Sequence, residues 1–424
     1  MNYTNLANLA VIACPGGEVF ANEVTAHLKK IYRRHLKKMV LKHSKHYGVS
    51  EEVAAQQINL INKTLFPDPH FHISGQKTYV NNFKAAANFT FFANSEIKAE
   101  VMESVRGKDV YIFQDVENRY PVFFSQGGHK KNLSVNDHLM TVLVTIDAVR
   151  NAGAQRITLV IPSYPYARQH KSKGREGASA SRIGKIFESL GVNHIIAMDI
   201  HSRDIASAFD KMRLENLHAS YQIIRVLSRL DKVLNDDLVV VSPDTGAVDR
   251  NKFFASTLKK PLALLYKERD YSRASKDALE NNIAQIRLLG NVQGKTVFMA
   301  DDMLGTGGTL LEGMKVLREN GAQKIICSVS LPLFSGDALS YFDKAYEQGL
   351  FFRIIGTNAV YHEEVLKREW YINVDIASLF AQVIMRLHQN LSISSLLDNR
   401  DIIKRLIESI NAEPELPFKI GEKK

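Results

Sequence analysis

Only two cysteines, Cys14 and Cys327, occur in 424 residues. So few exclude a disulfide framework, offer no metal-ligand spacing and suit a reducing compartment, so a cytoplasmic setting is expected. Long apolar runs are missing as well. None reaches the roughly 18 residues that a membrane span needs. The opening "MNYTNLANLAVIACPGG" lacks the basic leader of a secretory signal and reads as a first strand. Acidic residues are outnumbered, 45 against 55 Lys and Arg, which leaves a formal charge of +10. Such a balance suits phosphorylated ligands or nucleic acid without choosing between them.

What is present is ordinary globular composition, 45% hydrophobic and 24% charged, in a length that suits two or three domains. Short apolar runs recur at "VYIF" (110–113), "ITLVI" (157–161), "HIIAM" (194–198), "LVVVS" (238–242), "LALLY" (262–266), "TVFMA" (296–300), "KIICSVSL" (324–331) and "RIIGT" (353–357). Helix-period segments lie between them at 137–151, 180–190, 219–234, 309–320 and 376–388. Unalternated strands separated by helices predict a doubly wound α/β fold with mainly parallel sheets. "NAGAQRITLVI" (151–161) echoes "ENGAQKIICSV" (319–329), which suggests two related halves. The basic stretch 27–47 reads as a solvated helix face, and neither a membrane nor nucleic acid is expected as its partner. Residues 48–90 read as polar and irregular, an insertion rather than core.

The stretch with most chemistry is "VFMADDMLGTGGTLLEGMKVL" (297–317). A strand is expected to stop at Asp301 and Asp302, followed by the loop Thr306, Gly307, Gly308 and Thr309 and a helix from about Thr309. Glycines let backbone N–H groups converge on an anion, and a helix N-terminus adds its positive end. The loop carries no Gly-Lys-Ser/Thr, and Leu310 occupies the third glycine position of a dinucleotide fingerprint. Adjacent carboxylates beside a phosphate cradle fit a ribose 5-phosphate unit, the acids accepting from the 2- and 3-hydroxyls. The plainer alternative is an Asp pair capping the turn after a strand.

"VFMADDMLGTGGT" resembles the phosphoribosyl-binding motif of phosphoribosyltransferases and ribose-phosphate pyrophosphokinases (PRPP synthetases). Further stretches resemble the second family in chain order: "FANSEIKAEVMESVRGKDVYIF" (92–113), "NDHLMTVLVTIDAVRNAGAQRITLVIPSYPYARQ" (136–169), "MDIHS" (198–202), "VVVSPDTGAVDR" (239–250), "LYKERDYSR" (265–273) and "LPLFSGDAL" (331–339). The resemblance runs from about Val11 to about Leu397. It implies two phosphoribosyltransferase-type domains. The first spans 1–216, with insertions at about 28–90 and 118–132, and the second spans 217–375 and carries the ribose 5-phosphate loop. Residues 376–397 are expected to return as a helix to the first domain, and 398–424 form an extension.

The implied activity moves the β,γ-pyrophosphoryl group of ATP to O1 of ribose 5-phosphate, giving PRPP and AMP. A catalytically silent, synthetase-like regulatory subunit and a phosphoribosyltransferase are the alternatives. By the same resemblance Lys267 and Arg269 are catalytic, and Phe92, Glu96, Arg168, Gln169 and His201 contact ATP. His201 and Asp244 are implied ligands of Mg²⁺, while Asp301, Asp302, Thr306, Gly307, Gly308 and Thr309 hold ribose 5-phosphate. Phe92 and Glu96 are expected to reach a neighbouring subunit, so a homo-oligomer, hexameric or built from dimers, is implied. His170 and Asn94 stand where the family usually has Asp, and Gly305 replaces a third acid of the ribose loop.

Overall fold

The computed structural model describes residues 8–65, 83–124, 130–171, 174–230, 233–234, 237–269 and 283–412. The chain divides into two compact units. One comprises Met1–Ala197, Ser202–Glu215 and Ala377–Ser394, the other Met198–His201, Asn216–Ile376 and Ser395–Lys424.

The chain begins with β1 (Leu9–Ala13), α1 (Glu18–Tyr47), α2 (Glu51–Leu65), the hairpin β2 (Ala87–Phe91) and β3 (Ile97–Val101), and β4 (Asp109–Phe113). There follow the short pair β5 (Val122–Phe123) and β6 (Lys130–Lys131), then α3 (Val135–Asn151), β7 (Arg156–Val160), α4 (Ser179–Ser189), β8 (His194–Met198) and β9 (Arg213–Leu217). Five of these strands form a sheet in the order β1-β4-β7-β8-β9. β4 is buried at every position, as a strand covered on both faces must be.

Next come α5 (Ser220–Leu227), β10 (Leu238–Ser242), α6 (Val248–Leu258), β11 (Leu262–Arg269), β12 (Ile283–Leu289), β13 (Thr296–Leu304) and α7 (Gly308–Glu319). β14 (Lys324–Pro332), α8 (Ala338–Glu347), β15 (Arg353–Thr357), α9 (Glu363–Leu366) and β16 (Tyr371–Val374) complete this run, before α10 (Ala377–His388), α11 (Ser394–Leu397) and α12 (Arg400–Ala412). The second sheet has the order β12-β11-β10-β13-β14-β15-β16, parallel except for the edge strand β12. Its core interleaves Val239, Val241, Val297 and Met299 with Leu310, Met314 and Leu317 of α7.

The sequence echo reappears as two matching junctions. Gly153 after α3 and Gly321 after α7 both take left-handed backbone, φ 82° and 84°, and each leads into a sheet strand. Three expectations need correction. Residues 51–65 form a helix rather than irregular chain, because Ala54 and Ile58, one turn apart, cover Leu36 and Val40 of α1. The helix expected over 219–234 ends at Leu227, and a turn follows. β13 runs past the two aspartates to Leu304, since Asp301 and Met303 keep their pairing to Val329 and Leu331 of β14.

Asp109 ties α10 to the first sheet. It accepts from Arg156 Nε at 2.9 Å and again from Arg156 Nη2, from His388 Nδ1 at 2.9 Å and from Tyr111 OH at 3.0 Å. Arg156 also donates to the carbonyl of Leu387 at 2.9 Å, at the end of α10. Burial alone would raise the Asp109 carboxyl, but the Arg156 and His388 bonds hold it below its ordinary value. Such an acid contributes stability above the ordinary carboxyl range and loses it as pH falls through its lowered value. Asp109→Ala is therefore expected to destabilise the chain by about 3–5 kcal/mol at pH 7, because it strands the Arg156 guanidinium and leaves His388 and Tyr111 without their shared acceptor. Denaturant unfolding checks this, and a loss that does not shrink toward acid pH would contradict the linkage.

Candidate active site

The second sheet is filled in two directions. From β10 the chain proceeds outward to β11 and β12, and from β13 outward the other way to β14, β15 and β16. The order reverses between β10 and β13, and open α/β sheets bind ligands at the carboxyl ends of the strands at such a switch point. The two segments there are the loop after β10, with Asp244, and the last residues of β13, with Asp301 and Asp302, leading into Thr306–Thr309.

Gly307 caps α7 in left-handed backbone at φ 76°. A Cβ there would lie 2.3 Å from the Phe342 ring, so geometry and space both demand glycine. No side chain caps this helix, so its first N–H groups face the loop as donors without a side-chain acceptor. A Cβ on Gly308 would meet nothing within 4 Å. Thr306 is exposed and Thr309 half-buried. This is a helix N-terminus with room for an anion.

The half-buried acids are held in place locally. Asp301 Oδ1 accepts from the Asp302 N–H and Asp302 Oδ1 from the Met303 N–H, both at 2.8 Å. Both bonds lie within β13 and leave the second oxygen of Asp301 without a part in them. Asp302 Oδ2 accepts from His201 Nδ1 at 2.7 Å, which fixes the ring. Burial, then the charge of Asp302, raises the Asp301 carboxyl, and Asp244 adds to the same field. Burial also penalises Asp302, but the His201 bond and the Arg250 charge outweigh it and hold that carboxyl low. Asp244 Oδ1 accepts from the Ala247 N–H at 2.9 Å.

The structure therefore brings Asp301, Asp302, His201 and Asp244 into one field and sets the loop Thr306–Thr309 directly after the acids. Lys267 and Arg269 lie at the end of β11, their backbone opposite Ile286 and Ile283 of β12 with a bulge before Arg269. Their side chains, and the rest of "LYKERDYSR" from residue 270 on, lie outside the described residues. In the first unit Arg168 and Gln169 are exposed in the loop after β7, at the carboxyl end of a central strand. Phe92 and Glu96 face each other across the β2–β3 turn, where the Phe92 N–H donates to the Glu96 carbonyl at 2.9 Å. Asn94 has a local task in that turn, since its Oδ1 accepts from the Glu96 N–H at 3.1 Å. Gly305 is buried, and its carbonyl accepts from the Ser335 N–H at 2.9 Å.

Sequence reasoning missed the support behind the acids. Asp199, buried, accepts from Ser330 Oγ (2.5 Å), His218 Nδ1 (2.7 Å), Arg250 Nη1 (3.1 Å) and the Ala219 N–H (3.3 Å). Asp199 and Arg250 fall inside "MDIHS" and "VVVSPDTGAVDR", but nothing in either stretch names its partner across the fold.

Residues 39–191 match the family described as the N-terminal domain of ribose phosphate pyrophosphokinase, and residues 213–358 match the phosphoribosyl transferase domain. A ribose-phosphate pyrophosphokinase of Nostoc sp. is 35% identical over 72% of this chain and 84% of its own length. This chain belongs to the ribose-phosphate pyrophosphokinase family. Ribose-phosphate pyrophosphokinase 1 of Listeria monocytogenes is 34% identical over 74% of this chain and 89% of its own. The crystal structure of phosphoribosylpyrophosphate synthetase from Mycobacterium smegmatis superposes with a TM-score of 0.65 at 26% identity, covering 90% of this chain and 99% of that one. The pairing of two phosphoribosyltransferase-type domains is thus that of the pyrophosphokinase family. Both cysteines are buried and free, with burial pushing the Cys14 thiol up to about 12. Among the described residues no helix is long and apolar enough to cross a membrane.

Proposed function

We propose that this protein is a ribose-phosphate diphosphokinase, which forms a bond from O1 of ribose 5-phosphate to the β-phosphorus of ATP and breaks the bond to the α-phosphate, releasing AMP and PRPP. The observation that carries this is the Asp301–Asp302 pair next to the uncapped start of α7, at the switch point of the second sheet. The helix start takes the 5-phosphate, and the carboxylates accept from the 2- and 3-hydroxyls. Lys267 and Arg269 neutralise charge on the pyrophosphoryl oxygens in flight. Arg168 and Gln169 hold ATP, with His201 near its phosphates, while Phe92 and Glu96 contact adenine from a neighbouring subunit of a homo-oligomer, hexameric or built from dimers. Phe92 is 44% exposed, a large apolar face for such a contact to cover.

Mg²⁺ fits this donor set. A hard ion that keeps waters needs one or two protein carboxylates plus substrate phosphates, and Asp244, His201 and the field that raises Asp301 supply that environment. Bound with ATP, it would neutralise phosphate charge. Asp244 and His201 would hold it from the protein side. The test is direct: purified protein with ribose 5-phosphate, ATP and Mg²⁺ should release AMP and PRPP in equal amounts. Absence of AMP would sink the assignment, and a chain that binds nucleotide without turnover would be a regulatory subunit.

A further inference from the structure

The acids of the ribose loop stand on the last residues of β13, and something must hold that strand end still. β10 pairs with β13 at Leu238, Val239 and Val240, opposite Thr296, Val297 and Phe298. Beyond those positions the side chain of Asn251, fully buried on α6, takes over. Its Oδ1 accepts from the Ala300 N–H at 2.9 Å, and its Nδ2 donates to the Ala300 carbonyl at 2.8 Å. An amide side chain thus closes the ladder at the residue just before Asp301.

Its neighbour Arg250 supplies charge at the same place. The guanidinium donates to Asp199 at 3.1 Å, and the charges of Asp302 and Asp301 also act on it. Asp199 holds three further donors, from Ser330, His218 and Ala219. Removing Arg250 therefore leaves Asp199 hydrogen-bonded, whereas the two adjacent carboxylates lose the cation that offsets their mutual repulsion.

We propose that Arg250 is a positioning residue for the Asp301–Asp302 pair, anchored from behind by Asp199 while Asn251 beside it fixes the strand end that carries the acids. It acts on the acids and not on the substrates. It keeps both carboxylates in register as acceptors for two neighbouring hydroxyls of a sugar phosphate, and the assignment rests on ribose 5-phosphate being the ligand of this loop.

The experiment compares the full chain with Arg250→Met and with the charge-balanced double variant Asp199→Asn/Arg250→Met. The double variant covers the case in which the single one fails to fold. Steady-state kinetics should give a kcat/KM for ribose 5-phosphate lowered about a hundredfold in both, the scale that a misplacement of about 1 Å imposes. KM for ATP should move less than about threefold, since uniform damage to the fold would shift both substrates. Equal loss toward both substrates, or a double variant restored to within about threefold of the parent, overturns the proposal. Calorimetric titration of ribose 5-phosphate separates this from the assigned reaction. A parent that binds the sugar phosphate without turnover refutes the reaction but still tests Arg250 through binding. A parent that does neither refutes both.

Discussion

Lys267→Ala is expected to lower pyrophosphoryl transfer by at least about a thousandfold while ribose 5-phosphate binding stays within about twofold of the parent. Phosphoryl chemistry offers the protein little covalent work, and a cation set against the non-bridging oxygens in the transition state contributes on the order of 10³ or more. Lys267 sits at the end of β11, two strands from β13 in the order β11-β10-β13. On the proposed reading the sugar phosphate, by contrast, is held by the loop that follows β13. If Lys267 serves the transferred group and the loop after β13 the acceptor, as proposed, the substitution should separate kcat from acceptor affinity. AMP release measures the first and calorimetric titration the second. Turnover near the parent's would refute the role of Lys267, and a lost ribose 5-phosphate signal would refute the separation.

How far a sequence reveals such a site depends on how local the determinants are. "LVVVS" and "HIIAM" coincide with β10 and β8 because a strand buried on both faces needs an unbroken apolar run, which is a local property. The Thr-Gly-Gly-Thr loop was legible for the same reason, since left-handed backbone at Gly307 is written into the residue itself. α2 was missed because only Ala54 and Ile58 of its described side chains are buried, too few to mark a periodic stripe. The bond from His201 to Asp302 joins residues 101 apart in the chain, and the anchoring of Arg250 by Asp199 is also non-local. Each of these residues stood inside a quoted motif, yet only the pairing of their elements says which charge faces which. The departure at Asn94 likewise had no meaning until the β2–β3 turn gave its side chain the Glu96 N–H to accept from.

Asp301→Asn should make the protein more stable and nearly inactive, and the two effects share one cause. Burial and the neighbouring charge of Asp302 raise the Asp301 carboxyl above its ordinary range. Above that ordinary range the unfolded chain has released a proton that the native state still holds, so this group's contribution to stability falls as pH rises and is lowest once the folded carboxyl also ionises. Asparagine removes the penalty while still accepting the Asp302 N–H through its carbonyl oxygen. Thermal unfolding should therefore show a Tm a few degrees above the parent's at pH 8, about 1–2 kcal/mol for a chain of this size, shrinking toward zero near pH 4. Activity should move the other way. A charged acceptor for a ribose hydroxyl becomes a neutral one, and its second oxygen becomes a donor facing another donor, which leaves a half-buried polar group unpaired and raises KM for ribose 5-phosphate by about a hundredfold. A group that strains the fold only when ionised is what a binding site keeps and a stability optimum discards. If the variant is instead less stable at pH 8 than at pH 4, relative to the parent, Asp301 is a structural cap of the turn after β13 and its place in the ribose site fails with it.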